Sequence, residues 1–308
     1  MRKLFTALLL ASLTTLAMAK DIDIIKAKGT EQSVISSLTP PPVNMDVDQD
    51  VVLKAVFDVE LDAKHVQKNN VKLKKITESQ DFMIDGEVAY DANENAVTFK
   101  PSALLTYGYY EVEFNSLKAI KAEKSEQIKE IKYRFYVPEV INGHKLPPEA
   151  DEILNNSTLL GIDMNENGVR DDVERWIIIK YSKDPKYSKT KTAIALQYAK
   201  ASQYIIVNDP AHAYENKTYE VFDYAMDCEG YWHNSVTDLL GLDYIKFILD
   251  NHIFDDAFKS KMFNTRERTK AYWKFNGSLS GHMLGGGGGL LSSTKDKCET
   301  DIDALGEW

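Results

Sequence analysis

The sequence is most specific over the twelve residues Asp163-Met164-Asn165-Glu166-Asn167-Gly168-Val169-Arg170-Asp171-Asp172-Val173-Glu174. This stretch matches the pattern D-x-[DN]-x-[DN]-G-x5-E at every specified position. A hard divalent cation takes about six to eight oxygen ligands, and short oxygen-bearing side chains at alternate positions of a tight turn can supply them. The spacing therefore predicts a calcium-binding loop.

Each predicted ligand has its own place in this loop. Side chains would supply the ligands at positions one, three and five, and a backbone carbonyl oxygen would supply the ligand at position seven. An acid would bind the ion at position nine, directly or through water, and a glutamate would bind it with both oxygens at position twelve. The predicted ligands of Ca²⁺ are, in that order, Asp163, Asn165, Asn167, the carbonyl of Val169, Asp171 and Glu174. Asparagine at positions three and five removes charge, so we expect a dissociation constant on the order of 10⁻⁴ to 10⁻³ M. The alternative is a metal-free helix entrance, because acids in a first helical turn are favoured by the macrodipole.

Over these twelve residues the chain resembles the calcium loops of EF-hand and dockerin-type proteins. It departs from the EF-hand at position eight, where Arg170 replaces the apolar residue that usually bridges to a partner loop. Upstream, Asn155-Asn156-Ser157-Thr158 interrupts the run towards the loop. We therefore expect a loop followed by an outgoing helix, without the incoming helix of a complete EF-hand.

Residues 1–19 have the composition of a cleaved signal peptide. Arg2 and Lys3 precede a short apolar run, and Ala17-Met18-Ala19 forms a small-x-small cleavage site. Lys20 follows, so there is no cysteine for a lipid anchor. This pattern predicts a periplasmic or secreted protein, with no membrane span in the mature chain because its apolar runs are too short.

The formal net charge of −10 argues against a nucleic-acid partner, since phosphate binding needs a basic face. We expect a protein or an envelope glycan as partner. The length of 308 residues is typical of two domains.

Residues 31–137 have the pattern of a β-sandwich. Short runs rich in β-branched and aromatic residues alternate with turn signals, and no helical period competes. The predicted strands cover residues 52–57, 71–76, 86–90, 96–99, 109–117 and 128–137, with a charged solvated loop at 121–129. Residues 138–160, which contain Asn142-Gly143 and Pro147-Pro148, are predicted to be a linker.

Two segments of this region resemble bacterial Ig-like domains of the S-layer (SbsA, Big) type. Phe57-Asp58-Val59-Glu60-Leu61-Asp62 is similar to their F-x-x-x-L-D segment, and Thr98 to Val112 is similar to their T-F-x-P-x-x-x-L-x-x-G-x-x-Y-x-V hairpin. The resemblance implies an Ig-like sandwich that acts as a spacer or adhesive module and has no catalytic residues. It also implies a structural tyrosine-corner role for Tyr110.

Residues 161–308 are predicted to form an all-α domain opened by the calcium loop. Ile194, Tyr198, Ala201 and Ile205 recur at helical spacing, on a helix over 188–207 that we expect to be buried nearly all round. Further helices are predicted at 216–227, 233–250, 252–263 and 265–280, and five glycines at 285–289 predict a flexible loop. In the last helix we expect Asn264 as the cap, Arg266, Arg268 and Lys270 facing solvent, and Tyr272, Trp273, Phe275 and Leu279 facing inward.

Residues 161–182 and 264–281 also resemble segments that recur in uncharacterised exported bacterial proteins. That resemblance implies that the loop and the helical part form one unit.

The pair Cys228 and Cys298 predicts one disulfide, which would contribute about 4 kcal/mol of stability in the chain-entropy model. The alternative is two buried thiols.

No sequence motif states a catalytic centre. The leading hypothesis is therefore an exported calcium-binding protein with a binding, adhesion or envelope-structural role. The alternative is a calcium-stabilised envelope hydrolase with acids in a helical-domain cleft, for which the candidates are Asp223, Asp227 and Glu229, with His233 nearby.

Overall fold

The computed structural model describes residues 34–77, 79–121, 124–282 and 293–308. The chain divides into two units, Met1–Glu139 and Val140–Trp308. The predicted signal peptide and the five glycines at 285–289 lie outside the described residues. Within the described ranges the predicted fold class is confirmed, because a β unit of antiparallel sheets is followed by a helical unit.

The β unit contains two four-stranded antiparallel sheets and one two-stranded ribbon among its described residues. The strands are β1 (Ile35–Thr39), β2 (Leu53–Phe57), β3 (Val71–Ile76), β4 (Phe82–Ile84), β5 (Gly86–Asp91), β6 (Ala96–Pro101), β7 (Gly108–Phe114), β8 (Lys118–Lys121), β9 (Lys124–Gln127) and β10 (Ile131–Val137). The first sheet has the order β1-β2-β6-β5, and the second has the order β10-β7-β3-β4.

This strand order is that of an Ig-like sandwich. If the strands are lettered along the chain, the first sheet is A-B-E-D and the second is G-F-C, with β4 added beside strand C. Tyr110, near the start of β7, donates its hydroxyl to the carbonyl of Thr106 at 2.7 Å. That bond is the tyrosine corner expected at strand F.

Alternation along β7 separates the core from the outer face. Tyr110, Val112 and Phe114 are buried in the sandwich, whereas Glu111 points to the opposite side. The register places Glu111 opposite Arg134 of β10 and opposite Lys74 of β3. The central strand therefore carries one acid between cations on both neighbouring strands.

The predicted solvated loop at 121–129 is wrong. β8 and β9 pair antiparallel there, with Lys118 opposite Gln127. A charged sequence is compatible with a two-stranded ribbon that is polar on both sides, and it is equally compatible with a loop. The charge of these residues was therefore not enough to distinguish a ribbon from a loop. The short strands β1 and β4 were not predicted.

The helical unit begins with a small hairpin. β11 (Glu139–Ile141) pairs with β12 (His144–Leu146), and one helical turn, α1 (Glu152–Asn155), follows. The segment 138–160, which the sequence predicts to be a linker, thus contains regular structure. The later helices are α2 (Asp171–Tyr181), α3 (Ser188–Val207), α4 (Glu220–Leu240), α5 (Tyr244–Asn251), α6 (Asp256–Met262) and α7 (Arg266–Leu279).

The boundary predicted between 227 and 233 is wrong, because α4 runs through it without a break. Gly230 lies inside α4, where a Cβ atom would come within 2.6 Å of Ser293 Oγ. Close packing against Ser293 explains this glycine. The helix ends instead at Gly241, whose φ of 62° gives a left-handed C-cap.

Most of the helical core follows the predicted pattern. Ile194, Tyr198, Ala201 and Ile205 of α3 are all buried, as expected. On α7 the cap is Thr265, one residue later than predicted, and its Oγ1 accepts from the backbone N–H of Arg268 at 3.2 Å. Two orientations on α7 are also wrong, since Trp273 is 67% exposed and Arg268 is fully buried.

Candidate functional site

The predicted calcium loop is a tight turn held by its own side chains. Asp163 accepts from the N–H of Gly168 at 2.8 Å and from that of Asn167 at 3.2 Å. Asn167 in turn accepts from the N–H of Val169 at 2.8 Å. Glu166 and Gly168 have positive φ angles of 55° and 86°. These bonds fold the side chains of positions one and five into the bend.

The acids at positions nine and twelve face the same loop from α2. Asp171 is fully buried, and its Oδ1 accepts from the N–H of Met164 at 3.0 Å. Its Oδ2 is buried without a hydrogen-bond partner among the described residues. Glu174 is also buried and accepts from Asn165 Nδ2 at 3.1 Å. The structure thus connects the predicted ligands at both ends of the loop.

The ionised forms of these acids oppose one another. Burial, followed by the neighbouring charges of Asp163 and Glu174, raises the pKa of Asp171 to about 7. Burial is also the main cause that raises the pKa of Asp163 and of Glu174. Asp171 and Glu174 are buried and Asp163 is half-buried, and the anionic forms of Asp163 and Glu174 repel that of Asp171.

The residues present fit a hard cation. A carboxylate oxygen that is buried without a donor costs free energy, and a cation at that point would remove the cost. The donors are oxygens of Asp, Asn, Glu and one backbone carbonyl, the set that Ca²⁺ prefers. In the part of the chain that the structure describes, no group of three or more His, Cys, Asp or Glu side chains has the arrangement of a metal site. Asp163, Asp171 and Glu174 therefore fit the ion by the chemistry of their oxygens, although their side chains do not form such a group among the described residues.

Arg170 at position eight anchors the loop to α6. Its buried guanidinium donates to the carbonyl of Met262 at 3.2 Å and to that of Lys261 at 3.1 Å. Its Nε donates to Asp172 at 2.6 Å, and Asp172 also pairs with Lys261 at 2.8 Å. The departure from the EF-hand pattern thus has a structural use, because Arg170 ties the loop to its own domain.

Arg268 of α7 holds the segment that leads into the loop. It donates to the carbonyls of Asn155, Thr158 and Leu159. Arg170 and Arg268 both donate to Asn264 Oδ1, at 3.4 Å and 2.7 Å. The segments 161–182 and 264–281 are therefore in direct contact.

The acids proposed for a hydrolase do not converge. Burial and the charges of Asp227 and Glu220 raise the pKa of Asp223 to about 6. Glu229, however, lies two residues beyond Asp227 on α4, and residues at this spacing point to different sides of a helix. The structure therefore separates Glu229 from the acids with which the sequence grouped it.

The partner of Glu229 was missed by the sequence analysis. Glu229 accepts from Tyr198 Oη at 2.7 Å, from the N–H of Ile253 at 2.6 Å and from His252 Nδ1 at 3.1 Å. His233 Nε2 lies 3.9 Å away. His252 follows Glu229 by 23 residues, a separation that no local pattern connects.

The predicted disulfide is present. Cys228 of α4 is joined to Cys298, with 4.9 Å between their Cα atoms. The bond closes a loop of 70 residues and ties the C-terminal segment to the middle of α4. No helix within the described residues is long and apolar enough to cross a membrane.

Fold and site together define an Ig-like β unit followed by a helical unit that contains a tight turn rich in acids and amides. No protein-family profile matches the chain, and the comparison with curated proteins finds no match.

Several solved structures resemble about a third of the chain. PcoC, a copper resistance protein from Escherichia coli, is 18% identical over 33% of this chain and 97% of its own, with a TM-score of 0.28. The CopC protein from Methylosinus trichosporium is 15% identical over 34% and 93%, with a TM-score of 0.26. The N-terminal part of the bacterial S-layer protein SbsC is 12% identical over 33% and 23%, with a TM-score of 0.26. Because these TM-scores are low, the β unit is described as Ig-like on the basis of its own strand order.

Proposed function

We propose that the chain is an exported calcium-binding protein in which the ion stabilises the helical unit. The observation that carries this proposal is the fully buried Asp171, whose Oδ2 has no hydrogen-bond donor among the described residues. Asp171 lies beside Asp163 and Glu174, whose charges oppose its ionisation. A divalent cation at this place would give all three acids a common counter-ion.

Oxygen atoms of the loop and of the first turn of α2 would hold the ion. Bound there, calcium supplies positive charge and a rigid centre for the turn, and no chemical step is assigned to it. The proposed ligands are the side chains of Asp163, Asn165, Asn167, Asp171 and Glu174, and the carbonyl of Val169.

A structural role for the ion fits the surroundings of the loop better than a sensor role. Sensor loops open a pair of helices when the ion binds. Here Arg170 holds the loop against α6, and Arg268 holds the preceding segment against α7. An ion would therefore strengthen contacts that already join these elements.

For the whole chain we propose a binding, adhesion or envelope-structural role with a protein or envelope-glycan partner. The predicted export signal and the resemblance to S-layer Ig-like domains support this role. The helical unit also exposes the apolar side chains of Leu242, Ile245 and Leu249 around α5, a feature common at interaction surfaces.

Thermal unfolding tests calcium binding directly. All four tryptophans lie in the helical unit, so their fluorescence reports its unfolding (Trp176, Trp232, Trp273 and Trp308). With calcium at about 5 mM and the affinity expected above, we expect a stabilisation of roughly 1–2 kcal/mol and a rise of a few degrees in Tm.

Matched variants identify the site. Asp163→Ala and Glu174→Ala should remove the calcium-dependent rise in Tm. Glu166→Gln is the control, because Glu166 lies in the same loop, is exposed and is not a predicted ligand. It should keep most of the rise. A wild-type Tm that does not respond to calcium would contradict the proposal.

A further inference from the structure

A second site lies on the helical unit, in a cavity of about 370 Å³. It is formed by the end of α2, the start of α3 and the segment after α5, and His252 and Tyr181 are among the residues that line it. Glu229 lies behind His252 and is almost completely buried. None of these residues belongs to the calcium loop.

Glu229 fixes the orientation and the tautomer of His252. Its carboxylate accepts hydrogen bonds from Tyr198 Oη, the N–H of Ile253 and His252 Nδ1. Burial opposes its ionisation, but these donors outweigh burial and lower the pKa of Glu229. An ionised Glu229 accepts the Nδ1 proton, which leaves the lone pair of a neutral His252 on Nε2. The half-exposed His252 ring lines the cavity.

Tyr181 provides an independent indication of a ligand. Its side chain lines the same cavity and is 93% buried, since its exposed fraction is 7%. Its hydroxyl is buried without a hydrogen-bond partner among the described residues. A buried hydroxyl without a partner costs free energy, so a ligand oxygen that accepts its proton would be favoured.

The lysines and aspartates that line the cavity are equal in number, with Lys180, Lys183 and Lys191 against Asp184, Asp250 and Asp255. Lys191 pairs with Asp184 at 2.6 Å, and Lys180 pairs with Asp255 at 3.3 Å. Asp250, also at the cavity, pairs with Lys246. Because these acids already have cationic partners, the cavity does not demand a charged ligand. It suits a small neutral molecule with a carbonyl oxygen.

We propose that His252, oriented by Glu229, is a general base that activates water for hydrolysis of a small neutral carboxylic ester in this cavity. The water proton moves to His252 Nε2 while the water oxygen bonds to the ester carbonyl carbon, and Tyr181 donates to the carbonyl oxygen. When the tetrahedral adduct collapses, the bond to the alcohol oxygen breaks and the proton on Nε2 passes to that oxygen. Water, a base held by a carboxylate and an oxyanion donor suffice for this reaction.

The test uses the full exported chain and para-nitrophenyl acetate as the ester. His252→Ala should lower the rate of hydrolysis by on the order of 10² or more, the usual contribution of a general base. His252 is half exposed, so this variant should fold, and its Tm is measured alongside. Tyr181→Phe should lower the rate as well, without changing its pH midpoint.

The chain also contains a matched control pair. His212 Nδ1 lies 3.0 Å from Asp209 Oδ1, but both side chains are exposed and neither is among the residues that line the cavity. Imidazoles at any protein surface hydrolyse activated esters slowly, and His212→Ala measures that background. Its rate should match that of the wild type.

The pH profile provides a readout that a structural role of His252 would not produce. The rate should rise with pH as His252 loses its proton and then level off, with a midpoint above 6.5 because Glu229 raises the pKa of His252. The titratable groups that act on His252 are Glu229, Asp255, Lys259 and the neighbouring His233.

Two results would overturn the assignment. One is a wild-type rate no higher than that of His252→Ala, and the other is an equal loss in His212→Ala. Adding EDTA separates this proposal from the calcium proposal, because the ester site shares no residue with the loop. If calcium changes neither the rate of ester hydrolysis nor the Tm, the proposed calcium site is rejected and the proposed ester site is not affected.

Discussion

Arg170 Nη1 donates to the carbonyl oxygen of Met262 at 3.2 Å, although 92 residues separate them in the sequence. The same guanidinium bonds Lys261 and Asp172 and has no exposed surface. This contact makes the candidate calcium loop part of the helical core. It also implies that a substitution at either end of this contact should lower the stability of the whole helical unit.

Arg170→Met should lower the free energy of unfolding of the helical unit by about 3–5 kcal/mol, because it removes a fully buried guanidinium and leaves the partly buried Asp172 with one cation fewer. Urea denaturation followed by tryptophan fluorescence measures this change. Arg266→Met, an exposed arginine on α7, should change stability by less than about 0.5 kcal/mol. A loss of stability in Arg170→Met as small as that in Arg266→Met would show that the hydrogen bonds of Arg170 contribute nothing to the stability of the helical unit.

Gly161→Ala should destabilise the helical unit more than Gly241→Ala does. Both glycines have positive φ angles, 68° and 62°, but a Cβ atom at Gly161 would lie 2.2 Å from Arg170 Cδ, whereas Gly241 has open space. The cost at Gly241 should be about 1 kcal/mol, from backbone conformation alone. Gly277→Ala, inside α7 with nothing within 4 Å, should instead stabilise by up to about 1 kcal/mol.

Asp171→Asn should have opposite effects with and without calcium. In EDTA the variant should be as stable as the wild type or more stable, because the substitution removes one of three buried like charges. With calcium at about 5 mM it should be less stable than the wild type, since it loses an anionic ligand. Thermal melts under both conditions measure this reversal, and a lower Tm in both would indicate a purely structural aspartate.

Glu111 should make the β unit sensitive to acid. Burial raises the pKa of Glu111, but hydrogen bonds from Lys74, Lys132 and Arg134 outweigh burial and lower it to about 2. A lowered pKa in the folded state gives stability that is present above the unfolded value of 4.5 and is lost as pH falls through about 2.

We expect Glu111→Gln to cost on the order of 2–3 kcal/mol at pH 7 and progressively less below pH 5. Circular dichroism in the strand region follows this unit, because the tryptophans lie in the other one. The exposed Glu87→Gln serves as control. A penalty for Glu111→Gln that does not change between pH 7 and pH 3 would contradict the ion-pair explanation.

Removal of the disulfide should destabilise the helical unit. The double variant Cys228→Ser with Cys298→Ser should lose about 4 kcal/mol, because the unfolded chain regains the freedom of a 70-residue loop. Denaturation of both proteins without reductant measures the difference. Reaction of two thiols with a maleimide in unreduced, denatured wild type would show that the bond is not formed.

The sequence alone determined those elements whose local signal had one reading, and it failed where a local signal suited two structures, as at 121–129. The alternation and turns of residues 31–137 indicated the strands of the sandwich, and the spacing of Ile194, Tyr198, Ala201 and Ile205 indicated the buried face of α3. The loop pattern also included Asp163 and Glu174, whose charges act on Asp171. Hydrophobic periodicity, turn residues and motif spacing each involve residues that are close in the sequence, so they can be recognised without the tertiary structure.

Tertiary structure alone decided which charged groups are buried and which distant residues meet. The sequence placed Arg268 in solvent and treated Arg170 as a departure from a pattern, yet both are fully buried. It grouped Glu229 with Asp227 by proximity, whereas folding brings Glu229 to His252. The physical reason is that burying a charged side chain costs free energy unless partners surround it. Those partners come from segments that become neighbours only in the folded chain.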